Sequence, residues 1–267
     1  MVEVSIKDQA SDETTSAYAG ILRIGKVSAA LPNKFPTTAE LNATRMVGTK
    51  DTLPGEVVVS GKLMYPDLMK KVLKEDEALR SFARRLSRES GGFEDVARVL
   101  FLVFKGDASY SDAEDLRTLL DLQYFADMDV VTVQQTPAMS PEDFASLLKF
   151  AERWMHQKGV DKPIMPVVQA SETQREFELF AAPVVKGRFR VMGVDMKGGF
   201  HYYALRALES IKKKDPGLWI HALQVPPKIR FARQMLPSSQ GMLMPYFGVD
   251  SFSRWVVPPP PVPLTKD

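Results

Sequence analysis

The chain contains no cysteine among its 267 residues and only three histidines, His156, His201 and His221. That removes disulfides, thiolate-bound zinc, iron–sulfur clusters and thiol nucleophiles together, so neither a metal nor a cofactor is expected. Long apolar runs are missing too. Gly, Pro or charge interrupts every apolar stretch well short of the roughly 20 residues that span a bilayer, and no membrane partner is expected. The opening MVEVSIKDQASDETTS is polar and acidic and lacks the basic-then-apolar order of a secretory signal, which makes a cytoplasmic chain the expectation. Neither sign of charge dominates: 35 Lys+Arg against 33 Asp+Glu leave a net charge of +2, which permits a phosphate-bearing partner without requiring one. Neither a G-x-G-x-x-G nor a G-K-[ST] loop occurs in a strand-to-helix context, so Rossmann and P-loop chemistry have no support.

What is present is enough apolar sequence, 45% of residues, to build a core without staples. Strand-length apolar runs recur eight times: Leu31 to Thr37, Glu56 to Gly61, Val99 to Phe104, Asp129 to Gln134, Pro163 to Gln169, Arg190 to Asp195, Leu218 to Val225, and a last one within Gly241 to Phe252. Several are apolar on successive residues, as strands buried on both faces are. Helical spacing fills the intervals at Tyr65 to Ser87, Ser111 to Tyr124, Ser140 to Lys158, Glu172 to Phe180, Phe200 to Lys214 and Pro227 to Met235. In the clearest, Ser140 suits an N-cap, Pro141 the first turn and Gly159 the stop. Two short runs around Gly25-Lys26, within Tyr18 to Ala30, predict a β-hairpin placed to plug one end. The fold class expected is therefore α/β, a single (β/α)8 TIM-type barrel over residues 1–257 with an N-terminal hairpin. The tail VVPPPPVPLTKD lacks amide donors, and residues 258–267 are read as an extended, Pro-rich arm.

In such a barrel, chemistry sits at the C-terminal ends of the strands. The polar residues there are Ser60, Lys62, Lys105, Asp107, Gln134, Gln135, Gln169, Asp195, Lys197, Gln224, Asp250, Ser251, Ser253 and Arg254. A ring of glutamines suits a planar heterocycle edge, since each amide both donates and accepts. Asp195 and Asp250 both follow Gly-Val and both read as strand-end carboxylates, candidates for nucleophile or general base. Lys228, Arg230, Arg233 and Arg254 cluster late in the chain as candidate phosphate contacts.

The order of these segments resembles the tRNA-guanine transglycosylase family. GILRIGKVSAALPNKFPT is similar to its opening hairpin and first strand, PIMPVVQ to its V-Q-G strand, RVMGVD to its I-G-G-L strand, LWIHALQVPP to the strand before its G-T-P-E-D helix start, and GVDSFSR to its G-V-D-M-F-D segment. The resemblance, over roughly Gly20 to Arg254, implies a barrel that exchanges guanine for a 7-deazaguanine base in tRNA or DNA by pentosyl transfer. It implies base-reading roles for Gln169 and Gly193, puts Gln135 where the family has a base-binding aspartate, and puts Ser253 where it has the catalytic aspartate. The family's zinc-binding cysteines and its D-S-G-G-F-Q loop are missing. Exchange then needs Asp250, Asp107 or Asp195, with Gln135, Gln169, Gly193 and Asp195 on the base. The expectation is that Asp250→Asn abolishes exchange with folding intact. Two alternatives stand beside it: a non-catalytic barrel serving as a nucleic-acid-binding or assembly subunit in a homo- or hetero-oligomer, and an unrelated barrel enzyme acting on a small metabolite, phosphorylated or not.

Overall fold

The computed structural model describes residues 2–9, 17–42, 57–90, 95–137, 139–187, 189–226, 228–231, 234–237 and 243–254. It opens with three antiparallel strands in the order β1 (Val2–Gln9), β2 (Tyr18–Ile24) and β3 (Val27–Leu31). Gly25 takes φ 57° in the turn between β2 and β3, the left-handed conformation that glycine adopts without steric cost. This is the expected hairpin; β1 extends it on the far side of β2. Leu22, Ile24, Val27, Ala29 and Leu31 alternate onto one face, where they pack with Val57, Ala97, Val130, Val191 and Trp219. Those partners lie at or just before the starts of parallel strands, so the hairpin covers their N-terminal ends.

The elements that follow are β4 (Asn33–Lys34), α1 (Thr38–Asn42), β5 (Val57–Met64), α2 (Pro66–Lys74), α3 (Asp76–Ser90), β6 (Ala97–Phe104), α4 (Ala113–Phe125), β7 (Val131–Gln134), α5 (Pro141–Lys158), β8 (Ile164–Gln169), α6 (Gln174–Lys186), β9 (Val191–Asp195), α7 (Tyr202–Lys214), β10 (Trp219–Val225), β11 (Lys228–Phe231), β12 (Gln234–Pro237), a short 3-10 turn (Met244–Phe247) and β13 (Ser251–Arg254). A six-stranded parallel sheet runs β4-β13-β10-β9-β8-β7, and β5 and β6 form a second parallel pair. Single parallel bridges join the two sheets on both sides, Thr37 to Val59 and Val99 to Val130. Alternation along each strand sorts the core into two layers. Val191 faces an inner cluster with Met165, Val167, Trp219 and Leu223, while Met192 and Val194 face an outer one shared with the helices.

The β6–β7 seam carries its pairing on side chains. Gln134 accepts from the Leu102 amide at 2.8 Å and donates to the Leu102 carbonyl at 2.7 Å. Gln123, reaching in from α4, does the same for Thr132 at 2.7 and 3.0 Å. Each glutamine thus takes the place of a peptide unit and satisfies two buried backbone groups.

Helix ends follow the local chemistry. Ser140 and Asp143 form a reciprocal capping box on α5, Pro141 opens the helix, and Gly159 closes it at φ 64°. The segment expected as one helix from Tyr65 to Ser87 is two, broken where Glu75 turns extended. The helix expected over Pro227 to Met235 is instead the antiparallel pair β11–β12. Among the described residues, no helix is long and apolar enough to cross a membrane, and no group of three or more His, Asp or Glu is placed to hold a metal ion. The Pro-rich arm lies outside the described residues.

Candidate functional site

At the C-terminal ends of β6 to β10, a chain of side-chain amides ties neighbouring strands together. Gln135 accepts from the Gln169 amide at 2.9 Å, and the Gln169 side chain donates to the Gln135 carbonyl at 3.1 Å. One strand further, Gln224 donates to Asp195 Oδ1 at 2.7 Å, and the Lys197 amide donates to the same oxygen at 2.8 Å. Oδ2 of Asp195 accepts no hydrogen bond from a described residue. Asp195 is only 8% exposed. Burial pushes its carboxyl above the ordinary carboxylate value, against the pull of the Lys197 amide, the Gln224 amide and the nearby Lys197 and His201 charges.

The backbone is bent to make this arrangement. Lys197 at φ 48° and Gln224 at φ 55° both occupy the left-handed region, where a side chain with a Cβ is disfavoured, and both donate to Asp195. Strain of this kind persists where surrounding contacts over-determine it, and it concentrates at ligand sites. Asp195, Gln134, Gln135, Gln169, Gln224, Lys105 and Lys197 line one cavity of about 280 Å³. A second cavity of about 110 Å³ adjoins it, sharing Val103 and Gln224, and reaches Lys62, Ser253 and Arg254. A larger groove of about 590 Å³ lies beside β1, at the other end of the strands, where Glu3, Glu152 and Asp161 are solvent-exposed.

The sequence candidates divide accordingly. Gln135, Gln169 and Asp195 line one cavity. Gly193 does not line it: a Cβ there would stand 2.9 Å from Val167 Cγ2 and 3.1 Å from Met165 Sδ, so the glycine is required by packing one layer below. Gln134 lines the cavity with an amide already engaged on both sides by Leu102, leaving it little capacity to read a heterocycle. Asp107 is exposed in the turn after β6. Arg254 ends β13 beside the smaller cavity. Lys228 and Arg230 fall on β11 rather than a helix, and Arg233 lies outside the described residues.

Asp250 requires a correction. It precedes β13 instead of ending a strand, which puts it at the N-terminal side with the hairpin. Tyr18 donates to Oδ1 at 2.5 Å; Lys212 and the Ile220 amide donate to Oδ2 at 2.9 and 2.7 Å. Lys212 also donates to the Leu218 carbonyl at 2.6 Å. Both charged side chains are essentially sealed, at 3% and 0% exposure, and Asp250 lines neither mouth cavity. Removing one partner of such a pair strands a buried charge, so Asp250→Asn threatens the fold rather than leaving it intact.

The interior also holds a residue that the sequence reading did not place. His221, fully buried, contacts Ser251 Oγ through Nδ1 at 2.8 Å and Ser253 Oγ through Nε2 at 3.0 Å. Trp219 Nε1 donates to Ser251 Oγ at 2.7 Å, and Ser253 Oγ donates to the Phe35 carbonyl at 3.1 Å. Indole can only donate and a carbonyl only accept, so the chain has one direction: Trp219 to Ser251 to His221 Nδ1, then His221 Nε2–H to Ser253 to Phe35. Burial pushes the imidazole down to about 3, keeping it neutral. Ser253 therefore points its proton away from the imidazole, which in this tautomer does not act as its base. The signal was in the sequence, since His221, Ser251 and Ser253 sit at inward positions of paired strands, but it needed the β10–β13 register to be read.

No family model matches the chain, and no curated protein matches it. Among solved structures, it is similar to a proposed phosphonomutase from Burkholderia cenocepacia J2315, at 12% identity and TM-score 0.45 over 83% of this chain and 85% of that one. It is also similar to the catalytic domain of a chitinase from Pyrococcus furiosus, at 12% identity and TM-score 0.47 over 88% and 85%. A mandelate racemase/muconate lactonizing enzyme from Bordetella bronchiseptica RB50 matches at 11% identity and TM-score 0.41, over 74% of this chain and 53% of that one.

Proposed function

We propose that the eight parallel strands close as a (β/α)8 barrel through the Thr37–Val59 and Val99–Val130 bridges, and that the chain is an enzyme acting on a small anionic metabolite by acid–base chemistry at Asp195. The observation that carries this reading is the Asp195 carboxylate: buried, raised above its ordinary value, fixed through Oδ1 by two donors and left with Oδ2 free of described donors beside a cavity of about 280 Å³. Burial raises the pKa of a base in that setting, which makes it a better proton acceptor than an exposed aspartate. Lys105 and Lys197 line the same cavity and favour an anionic substrate, a carboxylate or a phosphate ester. Gln135 and Gln169, fixed against each other, supply polar contacts that orient it.

Proton exchange tests this directly. Incubation in D2O with a panel of small phosphorylated and carboxylate metabolites, followed by proton NMR, should reveal deuterium wash-in that Asp195→Asn lowers by about 10²-fold or more. Wash-in that survives the substitution contradicts the assignment. The convergence of Gln135, Gln169 and Asp195 on one cavity also favours a second reading, guanine exchange with Asp195 in place of the family's catalytic aspartate. Labelled-guanine incorporation into tRNA or double-stranded DNA, lost in Asp195→Asn, decides for it.

A further inference from the structure

Two glycines face the inside of the strand ring, and they are there for opposite reasons. Gly193 leaves no space, because Val167 and Met165 already fill the place of its side chain. Gly61 continues the inward face of Val57 and Val59 on β5, and a Cβ built on it meets nothing within 4 Å. Its φ lies outside the left-handed region, so no backbone conformation calls for glycine there. Glycine within a strand weakens the strand and often marks a close approach by something else. What the missing side chain leaves open is the cavity of about 110 Å³, whose remaining wall is mainly apolar: Val59, Leu63, Phe101, Val103 and Leu223.

This cavity opens beside the polar one that holds Asp195, sharing Val103 and Gln224 with it. We infer that the substrate carries an apolar arm of isopropyl to isobutyl size, seated beside Gly61 while its anionic end lies among Lys105, Lys197 and Asp195. A dry cavity of about 150 Å³ admits benzene, so one of about 110 Å³ suits a branched aliphatic group better than a fused ring system. The substrate class is thus a branched-chain carboxylate or phosphate ester, and Gly61 sets its specificity. The inference rests on the ligand site proposed above for the mouth.

Methyl-labelled protein allows a test without knowledge of the substrate. Isovalerate is expected to shift the methyl resonances of Val59, Val103 and Leu223 and to bind about 10-fold more tightly than acetate. In Gly61→Val the isovalerate advantage disappears, acetate binding persists and the melting temperature does not fall, because valine suits a strand and fills a void. Val103→Phe closes the same cavity from β6 and should act alike. Isobutanol, which has no anionic end, separates the two proposals: if it binds the wild type but not Gly61→Val while no anion binds at all, the apolar site stands and the acid–base reading falls. If isobutanol and isovalerate leave the methyls unmoved, or bind Gly61→Val as they bind the wild type, the inference is overturned whatever Asp195 does.

Discussion

Asp195 and Asp250 follow the same Gly-Val dipeptide, and both are buried; the difference lies in how many of their acceptor positions are filled. Asp250 takes Tyr18 on one oxygen and Lys212 with the Ile220 amide on the other, under the hairpin at the N-terminal side. Asp195 takes two donors on one oxygen only, beside an open cavity at the C-terminal side. A carboxylate with both oxygens engaged holds elements together, here α7, the hairpin and the approach to β13. Burial raises the pKa of both, but only the one with a spare oxygen beside an open cavity is placed to meet something that is not protein. The two ends of the strands are specialised in the same way, one covered for stability and the other left open.

The comparison breaks most readily at the covered end. Asp250→Ala is expected to cost about 3–5 kcal/mol in urea unfolding, since it leaves the Lys212 ammonium buried with no counter-ion, whereas Asp195→Asn should change stability by less than about 1 kcal/mol. Equal losses for the two would erase the distinction. Next in size is the β6–β7 seam: Gln134→Ala strands the Leu102 amide and carbonyl, and about 2–4 kcal/mol of stability should go with them. A loss under about 0.5 kcal/mol would mean that the seam repairs itself.

The remaining effect is a pH slope, the smallest of the three per unit of pH. His221 titrates near 6.5 when unfolded and at about 3 when folded, so its contribution is fully present above 6.5 and is lost as pH falls toward 3. The slope is up to about 1.4 kcal/mol per unit in that window. Asp195 works with the opposite sign, because its folded value is raised. The difference between wild type and His221→Gln isolates the histidine, and an unchanged slope in the variant would show that the imidazole is hydrated and protonated in place.

Much of this was legible in the chain. Runs such as VLFLVF and RVMGVD are apolar on consecutive residues because both faces of the strand are covered, and the structure puts strands there within a few residues. Ser140, Pro141 and Gly159 announced both ends of α5 through local chemistry alone. Pro227 to Met235 reads as helical over its whole length, yet within it Ile229 and Phe231 alternate with Lys228 and Arg230, the period of the strand that Lys228–Phe231 forms. The end of the strand at which a Gly-Val-Asp lies depends on whether the following residues extend a strand or leave one, and Ser251 to Arg254 extend it. The two inner glycines were indistinguishable for a similar reason: whether a neighbouring strand fills the space depends on register across the sheet.

The most direct test is the carboxyl titration of Asp195, followed by carbon-13 NMR on labelled aspartate with and without inorganic phosphate. A pKa above 3.8 that rises further when phosphate enters, with Asp250 indifferent to the anion, is the result predicted for an open, proton-exchanging carboxylate beside an anion site. An Asp195 that titrates at or below 3.8 and ignores phosphate would contradict it.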